Sequence, residues 1–231
     1  MNATPLASRL ARSIAAVAAL ALGLGACAIF QPAARPAWTT YLLELPRASA
    51  DAPANEPSRI GANVSPGASP PVLRVATVES TGGYDTARMA YCRSEGEIEY
   101  FANHRWAEAP AAMLMPLLVA GLERTGRFAT ILVPTSRASG DLLLETQLLV
   151  FRCDFARDGG AAFHLTLRAT LVASVDGSVL GSRSFDAVEP MDEASPGAGA
   201  KAAQRAAERA VGEVAAYCTA VVATPVATDG R

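Results

Sequence analysis

Three consecutive runs, Leu142 to Phe155, Ala161 to Ser174 and Ser178 to Val188, restrict this chain more than any other part of it. They are joined by Asp158-Gly159-Gly160 and Asp176-Gly177, short sequences able to take the positive φ of tight hairpin turns. In the middle run Phe163, Leu165, Leu167, Ala169 and Leu171 alternate with His164, Thr166, Arg168 and Thr170. A period of two puts the first set on a core and the second in a polar setting, which predicts an antiparallel meander covered on one face. The first run changes phase: Leu142, Leu144, Leu148 and Val150 share one parity, while Leu149, Phe151, Cys153 and Phe155 share the other. A bulge or a second covered face would account for that switch.

What covers the meander must come from two helical patterns. Pro110 to Thr125 opens on a proline suited to a first turn and is followed by Gly126, a C-terminal stop; Pro116 inside it predicts a kink or a later start. From Ala200 to Val222, Ala203, Ala207, Ala210, Val214, Cys218 and Val221 form a helical stripe opposite Lys201, Arg205, Glu208, Arg209 and Glu213. The small alanines would let this helix approach the sheet closely. Further strands are expected at Trp38 to Leu45 and Val72 to Val78, and a hairpin at Thr86 to Cys92 and Glu97 to Ala102 around Ser94-Glu95-Gly96. The expected fold is α+β, a mostly antiparallel sheet with two helices packed on one side. It occupies residues 38–223, with a mobile Pro- and Ser-rich loop at 46–71 and a disordered tail at 224–231.

Upstream, the chain reads as an export signal. Arg9 and Arg12 precede the apolar run Ser13 to Leu24, which is too short to span a bilayer core, and Leu24-Gly25-Ala26-Cys27 has the form of a lipobox. Residues 1–26 are expected to be removed and Cys27 to carry diacylglycerol and an N-acyl chain. Two or three acyl chains hold a protein on a membrane where one would not. Residues 27–37 then form a short tether. Ala28, in place of an aspartate, favours the outer membrane, with the domain facing the periplasm.

The leader carries two of the 20 basic residues and none of the 22 acidic ones, which leaves the remainder at a formal charge of −4. That balance speaks against nucleic acid, whose binding rests on clustered Lys and Arg. With Cys27 lipidated, Cys92, Cys153 and Cys218 remain, and Cys153 with Cys218 is the disulfide candidate in an oxidising compartment.

Material for catalysis is thin. His164 alternates with core residues, and His104 lacks the Cys, His or paired carboxylates of a metal site. Pro196-Gly197-Ala198-Gly199-Ala200-Lys201 lacks the Gly-Lys-Ser/Thr ending of a phosphate loop and reads as a flexible lead into the last helix. No catalytic residue, metal or cofactor is expected. The candidate partner interface is instead Tyr100, Arg105, Trp106, Met113 and Met115, aromatic and thioether side chains suited to anchoring or adaptable contacts. Core packing is the cheaper explanation for both clusters.

The order of segments resembles the ABC-type transport auxiliary lipoprotein family, the PqiC-like outer-membrane lipoproteins that accompany MCE-domain lipid-transport systems. The likeness runs from about Trp38 to Cys218. It rests on Tyr41-Leu42-Leu43, Leu73-Arg74-Val75, Arg88-Met89-Ala90-Tyr91, Glu99-Tyr100-Phe101-Ala102, His104-Arg105-Trp106-Ala107-Glu108-Ala109-Pro110 and Gly126-Arg127-Phe128. The Arg-Trp-Ala-Glu stretch is the most specific of these. The resemblance implies a non-catalytic component whose partners are an MCE-domain protein and an ABC permease with its ATPase, docking singly or as a homo-oligomeric ring. The alternative expectation is a periplasmic lipoprotein that carries a lipid itself, in a groove beneath the Met-rich helix. A lipid-anchored hydrolase has no motif behind it.

Overall fold

A computed structural model describes residues 37–44, 69–94, 96–156 and 159–223. Cys27, the lipobox residues Leu24, Gly25 and Ala26, most of the 46–71 loop and the 224–231 tail lie outside the described residues. The centre of the fold is the predicted meander: β7 (Leu142–Phe155), β8 (Ala161–Ala173) and β9 (Val179–Pro190) pair antiparallel in sequence order. Gly177 takes φ 73° in the second turn, as its Asp-Gly sequence requires. The phase switch in β7 is a bulge, for the register with β8 shifts between Leu148 and Val150. Leu142, Leu144 and Leu148 before it and Phe151 and Cys153 after it therefore all face the core.

The sheet is mixed, where a mostly antiparallel one was expected. β2 (Val72–Val75), β3 (Glu79–Ser80) and β4 (Arg88–Cys92) follow one another along the free edge of β7, all parallel to it. β6 (Thr130–Leu132) adds in parallel to β2, and β1 (Thr39–Tyr41) adds in parallel to β5 (Glu99–Trp106). The β4–β5 hairpin is antiparallel as predicted, but β5 runs on to Trp106. Alternation reports which face a side chain takes and is silent on strand direction, so only the hairpin-linked pairs were legible as antiparallel.

Helix α1 spans Pro110–Arg124 and α2 spans Pro196–Ala223. Both contribute to the single core cluster that also holds the inward residues of β7, β8 and β9. α1 does not start late: it runs through Pro116, whose ring lies on the exposed side while Met113, Leu114, Leu117, Leu118 and Leu122 are buried. Pro116 has no N–H to offer the Ala112 carbonyl, a cost of about 3 kcal/mol that the apolar burial of those five side chains can offset. α2 begins earlier than predicted, so Pro196 to Lys201 belongs to its first two turns and is not a flexible lead. Ser195 caps it, accepting from the Ala198 N–H at 3.2 Å through its hydroxyl and from the Gly199 N–H at 2.9 Å through its carbonyl, with Pro196 in the first turn. The predicted alanine stripe is buried, and the two helices meet where a Cβ on Gly121 would fall 2.4 Å from Val211 Cγ1.

Candidate functional site

The five residues expected at an interface separate into two groups. Trp106 is 1% exposed and packs edge-on against Phe151 and Phe163, with centroids 5.2 and 6.3 Å away. Its indole N–H has no acceptor among the described residues. Met113 is 3% exposed and belongs to the same core. Both are thus removed from the candidate interface, for the reason that a strand alternates faces and Arg105 and Trp106 are adjacent, while Met113 is on the sheet-facing side of its helix. Tyr100 is half-buried; its hydroxyl donates to the Gly83 carbonyl at 3.0 Å, and the Arg88 guanidinium lies 3.9 Å from its ring centroid. Arg105 is exposed, donating to Thr40 Oγ1 at 3.3 Å and lying over Trp38, which is 55% exposed. Met115 is half-buried and opens onto a cavity.

That cavity, of about 860 Å³, is a groove along the flank of α1 and not beneath it, because the space under the helix is filled by Leu114, Leu118 and their neighbours. Ala112, Met115, Pro116, Val119 and Glu123 form one wall, at the helical spacing that keeps side chains on one side. The chain around Thr77, Val78, Ser80 and Asp85 and the turn Val133-Pro134-Thr135 close it from the other sides. The lining is apolar apart from hydroxyls and two carboxylates, and its volume is within the range of roughly 300–1,000 Å³ usual for ligand sites. Three distant segments meet there, which is why only Met115 was anticipated. The Ala112, Pro116, Val119, Glu123 stripe was the available signal.

On the opposite, polar face of the meander, Arg152 Nε donates to Asp154 at 2.7 Å and its Nη1 donates to the Tyr84 hydroxyl at 3.3 Å. Burial works to lower the Arg152 pKa, but these hydrogen bonds outweigh it and hold the guanidinium charged. His164 Nδ1 lies 3.4 Å from Asp154, and Asp186 accepts from Thr166 at 2.6 Å. Arg152 and His164 thus both converge on Asp154 at this face. His104, the other histidine, stacks on Tyr41 with Nδ1 3.2 Å from its hydroxyl. Among the described residues no cluster of three or more His, Cys, Asp or Glu could hold a metal ion.

The three described cysteines are free and buried. Cys153 packs against the first turn of α2, where a Cβ on Gly199 would come 2.6 Å from its sulfur. Cys218 is 19 positions further along that helix, on the order of 28 Å away at 1.5 Å per residue, far beyond the reach of a disulfide. Their expected pairing is therefore corrected: the long helix that both touch holds them apart. Burial pushes both thiols up to about 12, so neither is a nucleophile at neutral pH.

No described helix is long and apolar enough to cross a membrane. A family model described as ABC-type transport auxiliary lipoprotein component matches residues 56–215. Among solved structures, protein XCC0632 from Xanthomonas campestris is similar at 21% identity, with a TM-score of 0.65 over 80% of this chain and 96% of that one. An uncharacterised protein is similar at 16% identity and a TM-score of 0.57, over 79% of this chain and 99% of its own. Both share the fold. No curated protein matches the sequence.

Proposed function

Because the chain belongs to the ABC-type transport auxiliary lipoprotein family, we propose that it is the lipid-anchored, non-catalytic docking component of an MCE-associated system moving lipid between the two membranes. The observation that carries this reading is the family match across most of the domain together with the Leu24-Gly25-Ala26-Cys27 lipobox upstream of it. Acylated Cys27 fixes the domain at the periplasmic side of the outer membrane, and the transporter's MCE-domain protein and ABC permease with its ATPase are its partners. In chemical terms the domain suits holding more than transforming: the Cys153 and Cys218 thiols stay protonated in the core, and Arg152, His164 and Asp154 engage one another.

Docking is favoured over carriage of a phospholipid by the domain itself, because among the described residues the apolar groove is lined by two carboxylates and no basic side chain to receive a phosphate. The test is recovery of an MCE-domain protein with the tagged lipoprotein from gently crosslinked, detergent-solubilised envelopes. Repeated recovery of the lipoprotein alone would overturn the reading. In the same strain Cys27→Ala is expected to shift the protein from the membrane to the soluble fraction, and retention of that variant would refute the anchor.

A further inference from the structure

The groove along α1 has a charge pattern that selects its occupant. We propose that it is the docking site for an apolar peptide segment bearing one or more Lys or Arg residues, contributed by a partner protein; this rests on the docking reading and assigns it a surface.

The wall formed by Ala109, Ala112, Met115, Pro116, Val119 and Ala120 offers apolar contact over a helix stretch, from Ala109 to Glu123, about 21 Å long at 1.5 Å per residue. That length suits four turns of a helix or about six residues of extended chain, and it exceeds what a small cation needs. Every ionisable side chain lining the groove is acidic: Asp85 and Glu123, neither in an ion pair among the described residues.

The site therefore presents acceptors around an apolar floor. A phospholipid would bring a phosphate against two carboxylates with no guanidinium or ammonium to offset them. A basic, apolar peptide places its side chains on the floor and its cations against the rim, where opposite charge sets orientation and partner choice.

The test uses the full chain in its native envelope with p-benzoylphenylalanine at Ala112, and at the exposed Glu213 of α2 as a control. After irradiation the adducts are sequenced by mass spectrometry, and the transport partner recovered from the same sample is measured separately. The expected result is an adduct at position 112 only, on a partner peptide with Lys or Arg within a few residues of the crosslinked apolar side chain. In an Asp85→Asn, Glu123→Gln background, with an unchanged urea midpoint, its yield should fall on the order of fivefold, in line with two exposed charge pairs. A phospholipid adduct, an adduct to a second copy of this chain, no adduct, or a yield indifferent to the two carboxylates would each overturn the proposal. Partner recovery without the adduct defeats the groove alone, whereas absence of the partner defeats the docking reading itself.

Discussion

Raising the pH from 7.5 to 9.5 should destabilise this fold through two sulfur atoms. Cys153 and Cys218 are each fully buried, and burial moves their thiols from an ordinary 9.0 to about 12. Between those values the unfolded chain loses the protons and the folded chain keeps them. The unfolded state then binds fewer protons, so stability falls as pH rises. At about 1.36 kcal/mol per pKa unit, each thiol costs about 0.8 kcal/mol at pH 9.5 and almost nothing at pH 7.5, so the pair costs about 1.6 kcal/mol. The Cys92 thiol and tyrosines such as Tyr84 and Tyr217, also raised by burial, act in the same direction. Urea unfolding of the Cys27→Ala protein is the assay. With a slope of about 2 kcal/mol per molar, the midpoint should drop by about 0.8 M. Most of that drop should vanish in Cys153→Ala/Cys218→Ala, which lowers stability at both pH values but flattens its pH dependence. A drop as large in the double variant as in the parent would refute the argument, and an intact Cys153–Cys218 disulfide in the purified protein would refute its premise.

Gly121→Leu should cost about 1–3 kcal/mol in urea unfolding, since the added side chain enters the space held by Val211 at the helix crossing. Trp106→Ala should cost about 3–5 kcal/mol, whereas Met115→Ala should stay below about 1.5 kcal/mol because its side chain is only half-buried; similar costs for the two would contradict their placement. Ser195→Ala should cost about 0.5–2 kcal/mol through loss of the α2 cap, and Ser195→Gly less, both read from the same denaturation curves.

The meander was legible because one side chain in two must face the core; its phase switch left a bulge or a second covered face open, and the structure shows the bulge, since Leu148 and Phe151 cannot share a face without an extra residue between them. The parallel pairing of β2, β3 and β4 was not legible. It depends on which distant segments reach the edge of β7, and that information is not carried in any one segment. At the candidate site, residue type alone was misleading. Aromatic and thioether side chains serve cores and interfaces equally, and only parity along β5 and angle around α1 separate Arg105 from Trp106 and Met115 from Met113. The Pro196 to Lys201 stretch, with its two glycines, resembled a flexible lead, yet Ser195 and Pro196 are also what a capped helix start requires.

The chain enters the domain through β1, three residues laid along β5 at the outer margin of the sheet. If its N-terminus is held in a bilayer as proposed, any pull from the membrane reaches this strand first. The load then falls on a few parallel hydrogen bonds, on the Tyr41 carbonyl that accepts from Ala107 at 2.7 Å, and on the paired contacts of Glu44 with Gln204 at 2.9 Å. Such an attachment bears tension ahead of the longer antiparallel pairings of β7, β8 and β9.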